Sequence, residues 1–225
     1  MAMIATLFDF DGVLVDTEPV HLAAFRDVLA PFGVTVSDSA YLEKYFGFDD
    51  KGAFRAMLHD AGRRPDDDEI ARLVEAKKPA FMARIVSELR VFPGAADLVR
   101  RRAARGVVGI VSGALDHEIR FCLERMNVAT SVSFIVAAER CSACKPDPEG
   151  YLLAIAELAR LSTNSSKPVV LEDSIAGVEA AKRAGLRCVG VAHSYEAALL
   201  TAAGADIVVR DLLSLTDALF DDGVA

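Results

Sequence analysis

Six short apolar runs constrain the fold of this chain more than any other feature of its sequence. They span residues 4–10, 107–112, 134–138, 168–171, 187–192 and 207–209, and most are rich in Val and Ile. A strand with one wet face alternates apolar and polar side chains. Several of these runs are apolar almost throughout, which is the pattern of strands covered on both faces, as in a parallel sheet between helices. Segments of helical period separate the later runs: a stretch around Ala95, Val99 and Ala103 ending near Gly106, then 115–126, 149–161 and 174–184, the last closed by Gly185. Strand and helix in alternation predict an α/β fold, a doubly wound (Rossmann-like) parallel sheet.

One connection is far too long for a single crossover, which needs roughly 30 residues in all. Residues 11–106 separate the first run from the second. The extra segment holds no strand pattern and reads as helices at 19–31, 39–45, 50–61 and 66–88. The acids Asp66, Asp67, Asp68 and Glu69 stand at the start of the last, where they favour the helix dipole. The expected organisation is a core of residues 1–16 and 90–225 interrupted by a helical insert at 17–89, with Val91-Phe92-Pro93-Gly94 marking the return. The stretch 162–166 (STNSS) reads as a polar loop.

Composition removes other classes. With 52% hydrophobic and 26% charged residues, the 225-residue chain has the profile of a globular protein that buries a core. Its 33 acids against 25 bases give a formal net charge of -8, which repels nucleic acid and anionic membrane surfaces. The longest stretch free of charge, 126–138, falls well short of the ~20 residues of a membrane helix. Asp9 and Asp11 interrupt the first apolar run, so it does not read as a signal peptide. Cys122, Cys141, Cys144 and Cys188 then read as reduced thiols of a cytoplasmic protein.

The chemistry clusters at strand ends. Asp9 and Asp11 close the first run in LFDFDGVLVDTE, and Gly12 permits a tight turn after them. Open parallel sheets bind ligands beyond the carboxyl ends of their strands, so two carboxylates there can converge on one site. Ser112 and Gly113 follow the second run, Lys145 lies in CKPDPEGY before a helix, and Glu172 and Asp173 close the fourth run. Each alone has a plain reading, as a helix cap for Ser112 or Glu172 and as a surface residue for Lys145. Together they place two acidic pairs, a hydroxyl and a lysine at the same sheet edge.

Four segments, DFDGVLVDTE, VSGA, KPDPEGY and LEDSIAGVEAAKRAG, resemble in order the motifs of the haloacid dehalogenase superfamily of phosphotransferases, in the subfamily of β-phosphoglucomutase and phosphoglycolate phosphatase. The resemblance covers nearly the whole chain and implies that the insert is a cap domain. It implies that Asp9 is the nucleophile forming an aspartyl-phosphate and that Asp11 is the general acid and base. Ser112, Gly113 and Lys145 would hold the phosphoryl group. Asp9, Asp173 and the Asp11 backbone carbonyl would hold a divalent ion, with Glu172 a direct or indirect ligand. All are hard oxygen donors, so Mg2+ is expected rather than Zn2+. Dehalogenases and phosphonatases of the superfamily generally lack an acid at the position of Asp11, so its presence points to phosphate esters.

The same resemblance implies substrate contacts for His21, in DTEPVH, and for Lys77. The alternatives are a hinge or surface histidine and a solvated helix face. In YFGFDDKGAF the mutase normally carries an arginine; here Asp49, Asp50 and Lys51 occupy the stretch, with Arg55 nearby. The expected activity is therefore a phosphatase acting on a small phosphorylated metabolite such as a sugar phosphate, ahead of a phosphosugar mutase or a catalytically idle binding protein. The expected state is a monomer or weak homodimer with no nucleic-acid or membrane partner. Cys141 and Cys144 form a CxxC with no second pair to complete a zinc site, and read as loop thiols. Arg100, Arg101, Arg102 and Arg105 read as a solvated helix face.

Overall fold

The computed structural model describes residues 4–46, 48–161 and 167–220. In chain order these form β1 (Thr6–Phe8), β2 (Val15–Asp16), α1 (Glu18–Leu29), α2 (Asp38–Lys44), α3 (Asp50–Asp60), α4 (Asp67–Glu88), β3 (Arg90–Val91), α5 (Ala95–Ala103), β4 (Val108–Val111), α6 (Asp116–Arg125), β5 (Phe134–Val136), α7 (Glu149–Arg160), β6 (Val169–Glu172), α8 (Ile175–Arg183), β7 (Arg187–Val191), α9 (Ala197–Ala202) and β8 (Ile207–Val209). The stretch 162–166 lies outside the described residues. The chain divides into two compact units, Met1–Asp16 with Arg90–Ala225, and Thr17–Leu89.

The first unit holds a six-stranded parallel sheet in the order β5-β4-β1-β6-β7-β8. The six apolar runs are its six strands: β8 keeps the bounds of its run, β6 is shifted one residue to take in Glu172, and the other four are trimmed at their ends. Leu7, Val170 and Cys188 on the sheet pack with Tyr151 and Ala154 of α7 and Val178 of α8, all fully buried. Two-sided cover is why these runs do not alternate. The chain moves from β1 to β4 and β5 on one side, then returns to β6 on the other, so the strand order reverses at β1. Phe8 stands opposite both Ile110 and Leu171. That register brings the ends of β1, β4 and β6 level, at the place where open sheets form their binding crevice.

Three features of this unit depart from expectation. The antiparallel pair β2–β3, with Val15 opposite Val91, and the helix α9 have no sequence pattern long enough to announce them. The arginine cluster is a solvated face only in part: Arg100, Arg101 and Arg105 are exposed, but Arg102 is not. Arg102 is 2% exposed. Its guanidinium donates to Thr6 Oγ1 (3.0 Å) and the Ile4 carbonyl (3.3 Å), and stacks 4.0 Å over the Phe220 ring. Arg101, Arg102 and Arg105 converge on Asp217 at 3.5, 3.5 and 2.9 Å. A buried cation is tolerated only when paired, and here that pairing ties the C-terminal segment to α5.

The second unit holds helices and no strand among its described residues, and has its own core, built on Phe25, Leu29, Tyr41, Phe54 and Leu58. Three of its helices, α2, α3 and α4, are capped by side chains. Ser37, Asp49 and Asp66 accept from the backbone N–H three residues on, at 3.1, 2.8 and 2.7 Å. Among the described residues, no helix is long and apolar enough to cross a membrane.

Candidate active site

The loop after β1 is shaped by its backbone. Asp9 N–H donates to the Leu171 carbonyl at 2.9 Å, extending the ladder by one residue. The chain then doubles back, with Leu14 N–H on the Phe10 carbonyl (2.9 Å) and Gly12 N–H on the Val15 carbonyl (2.8 Å). Gly12 has φ +79°, a left-handed conformation, and a Cβ there would fall 1.9 Å from Asp173 Oδ2. Glycine is required twice, for the turn and for the approach of that carboxylate.

Lys145 ties three strand ends together. Its Nζ donates to Asp9 Oδ1 (2.6 Å), Glu172 Oε1 (2.6 Å) and the Val111 carbonyl (3.2 Å). Burial pulls its ammonium down, but the Asp9 and Glu172 carboxylates more than offset this and hold it protonated, above the usual lysine range. Glu172 is fully buried. Beyond Lys145, its carboxylate accepts from Tyr151 Oη (2.7 Å) and Ser174 Oγ (3.2 Å). It lies against the first turn of α8, where a Cβ on Gly177 would come 2.0 Å from it, and the helix dipole favours negative charge there.

The acids outnumber the cation. Asp9, Glu172 and Asp173, all buried, each offer an oxygen within 4.8 Å of the others. Burial pushes the Asp9 carboxyl well above its ordinary range; Lys145 opposes this, while Glu172 and Asp173 add to it. Burial and then Glu172 push Asp173 up to about 7, against a hydrogen bond from Ser194 and the charge of Lys145. Three buried carboxylates around one ammonium form a site that a cation would complete, and oxygen donors alone suit a hard divalent ion.

The structure thus brings Asp9, Ser112, Lys145, Glu172 and Asp173 to one sheet edge. Ser112 is buried, and its hydroxyl accepts from Ala114 N–H at 3.0 Å. It is not the cap of α6, which begins four residues later with Leu115 at its N-cap. A Cβ on Gly113 would meet only open space. Asp11 lies in the turn of the β1 loop, bridged to Val15, and its carboxylate is not one of the three that cluster.

His21 and Lys77 belong to the other unit, and there they meet each other. Lys77 is 2% exposed. Its Nζ lies 2.9 Å from His21 Nδ1, pairs with Asp50, and sits 4.2 Å over the Phe25 ring. The His21 ring stacks on Phe81 at 4.5 Å, and burial together with Lys77 holds its pKa well below the ordinary value. Lys77 is therefore not on a solvated helix face. Asp49 caps α3, while Arg55 pairs with Asp67 at 2.5 Å.

Three residues of the β1 site carry no signal in the sequence. Tyr151 stands in KPDPEGY but looks like any apolar residue of α7. His193 and Ser194 follow β7, with no motif to mark them. His193 Nδ1 lies 2.8 Å from the Gly12 carbonyl oxygen, and Ser194 Oγ donates to Asp173 Oδ2. Cys141 and Cys144 are both free thiols.

Known proteins share this architecture. The phosphorylated carbohydrates phosphatase of Thermotoga maritima is 29% identical over 210 residues, covering 92% of this chain and 94% of that one. The phosphoglycolate phosphatase of Rhodospirillum rubrum is 29% identical over 221 residues, covering 95% and 89%. The crystal structure of CbbY from Rhodobacter sphaeroides in complex with phosphate superposes with a TM-score of 0.75 at 29% identity, covering 94% and 95%. The sequence model of the haloacid dehalogenase-like hydrolases matches residues 6–191, from β1 to the end of β7. The chain belongs to the haloacid dehalogenase-like hydrolase family.

Proposed function

We propose that this protein is a Mg2+-dependent phosphatase of small phosphorylated metabolites, sugar phosphates foremost, working through an aspartyl-phosphate on Asp9. The observation that carries the reading is Lys145, held 2.6 Å from both Asp9 and Glu172 at the reversal point of the sheet, with Asp173 completing the acidic cluster. The names of the relatives, phosphatases of phosphorylated carbohydrates and of phosphoglycolate, support the substrate class. The unit Thr17–Leu89 is read as the cap.

In this reading the Asp9 carboxylate attacks phosphorus, forming one P–O bond as the ester P–O bond breaks. Asp11 gives its proton to the departing alkoxide. It then takes a proton from water as that water attacks phosphorus and frees Asp9. Lys145 and the Ser112 hydroxyl hold the phosphoryl oxygens, and Lys145 offsets the charge of Asp9. Bound between Asp9, Asp173 and the Asp11 carbonyl, with Glu172 beside them, Mg2+ would supply the positive charge that lets an acidic pocket accept an anion. A mutase would deliver the phosphoryl group to a second sugar hydroxyl. The stretch where it carries an arginine here has Asp49 as a helix cap and Asp50 paired with Lys77, which favours water as acceptor.

A phosphate-release screen over sugar phosphates and phosphoglycolate, with and without Mg2+, tests the reading beside an assay for interconversion of β-glucose 1-phosphate and glucose 6-phosphate. Metal-dependent release is expected. Asp11→Asn is expected to lower it by about 10²–10⁴-fold. Rapid interconversion with little free phosphate would overturn the phosphatase reading in favour of the mutase.

The raised Asp173 predicts a coupling between Mg2+ and pH. With the folded value at about 7 against an ordinary 3.8, the native protein holds a proton that the unfolded chain has lost between those values. Stability without metal therefore falls as pH rises through that window. The ionised Asp173 carboxylate would hold Mg2+ where the protonated one would not, so thermal melts are expected to show a larger rise in Tm on adding Mg2+ at pH 8 than at pH 5. Equal rises at both would count against Asp173 as a ligand.

A further inference from the structure

The segment that leaves β7 touches the β1 site at two points through consecutive side chains. Consecutive residues of an extended strand face opposite ways. Here His193 N–H donates to the Val191 carbonyl at 2.8 Å, closing a three-residue turn at Ala192 that breaks the alternation. Beyond that turn the His193 side chain reaches the β1 loop at Gly12, and the Ser194 side chain reaches Asp173 of the acidic cluster.

We propose that His193 and Ser194 are positioning residues for this site: His193 fixes the β1 loop through the Gly12 carbonyl, and Ser194 fixes the Asp173 carboxylate. The proposal rests on the phosphatase reading for its catalytic consequence. A carbonyl oxygen only accepts, so the 2.8 Å contact requires the proton of His193 on Nδ1. The ring is held flat on Phe92, with centroids 3.9 Å apart and planes 17° apart. Phe92 is itself bound to the same loop, its N–H donating to the Leu14 carbonyl at 3.0 Å. The loop that carries Asp9 and Asp11 is thus gripped at Gly12 and at Leu14 by two residues that stack on each other.

Ser194 acts on the other side of the same contact. Its hydroxyl donates to Asp173 Oδ2, the oxygen that occupies the space of the missing Gly12 Cβ. The donor selects one rotation of that carboxylate against the loop. Gly12 follows Asp11 directly. A Gly12 freed to shift would carry the adjoining Asp11–Gly12 peptide, and with it the Asp11 carbonyl, out of place, while a free Asp173 carboxylate would lose its alignment with Asp9 and Glu172. Hydrogen-bond partners of this kind orient ligating groups, and losing one typically costs about 10–100-fold in activity or metal affinity.

The test uses four variants, steady-state kinetics and calorimetric titration with Mg2+. His193→Phe keeps an aromatic ring on Phe92 and removes the donor. His193→Asn places an N–H donor the same number of bonds from the backbone. Ser194→Ala removes the hydroxyl, and Ser194→Thr keeps it. His193→Phe and Ser194→Ala are each expected to lower kcat about tenfold or more with KM within about twofold, and to weaken Mg2+ binding about tenfold. His193→Asn and Ser194→Thr are expected to recover most of both. Unchanged kcat and Mg2+ affinity in His193→Phe and Ser194→Ala would overturn the proposal, as would an Asn variant as impaired as the Phe variant. A wild type that releases no phosphate overturns the phosphatase reading alone, because the Mg2+ titration still reads the two positions without turnover. A wild type that neither releases phosphate nor binds Mg2+ overturns both.

Discussion

Asp9→Asn is expected to abolish phosphoester turnover, by about 10⁴-fold or more, while the chain keeps its fold. The amide is nearly the same shape as the carboxylate but is a far poorer nucleophile, so the first P–O bond does not form. A loss of that size corresponds to ~5 kcal/mol of transition-state stabilisation. Stability is expected to hold or rise. The native Asp9 is buried, and its charge is opposed by Glu172 and Asp173. Lys145 keeps its 2.6 Å contact with Glu172 when Asp9 is neutral. Acid-quenched wild type incubated with substrate is expected to carry a phosphoryl group detectable by mass spectrometry, and the variant none. Turnover within tenfold of wild type would remove Asp9 from the role of nucleophile.

Lys145→Ala is expected to damage both stability and turnover. Lys145 is the cation of a buried triad with Asp9 and Glu172, and Glu172 has no exposed surface at all. Removing one partner of a buried ion pair typically costs ~3–5 kcal/mol, because the remaining charge has neither water nor a counter-ion. Asp9 can relieve part of that cost by taking up a proton. Without the ammonium its pKa, already raised by burial, rises further, so the folded variant binds more protons than its unfolded chain. Its deficit is therefore expected to be small near pH 5 and to grow towards pH 8. Turnover is expected to fall by about 10²–10³-fold through the lost stabilisation of phosphoryl oxygens. Thermal melts at the two pH values and phosphate release check both effects. An equal loss of Tm at pH 5 and pH 8 would contradict the triad as the source of the instability.

Much of the site is legible in the chain's local patterns. Asp9, Ser112 and Glu172 stand out because each lies at the end of an unbroken apolar run, and a parallel sheet gathers such ends on one edge. Lys145 is legible through its motif. Tyr151 is not, because on α7 a tyrosine whose hydroxyl serves Glu172 has the same pattern as one that only fills space. Arg102 misleads for a related reason. Neighbouring arginines look solvated, yet successive helix positions turn by about 100°, and this one shares the inward face of Leu98 and Val99. His21 and Lys77 are joined by no local pattern. The core of the helical unit packs α1 against α4, and only that packing places the Lys77 ammonium between His21, Asp50 and Phe25.

By itself the sequence determined the layered α/β architecture, the helical insert after the first strand, and the acids, hydroxyl and lysine at the sheet edge. Periodicity, turn residues and motifs are local properties, and they survive in a string of letters. Tertiary structure alone decided how those groups are charged and held. Asp173 lies near 7 because it is buried beside Glu172, Glu172 is satisfied by Lys145, Tyr151 and Ser174, and the Gly12 loop is gripped by a histidine 181 positions further along the chain. Desolvation and hydrogen-bond partnership depend on which distant segments exclude water from a group, and that is set only when the chain has packed.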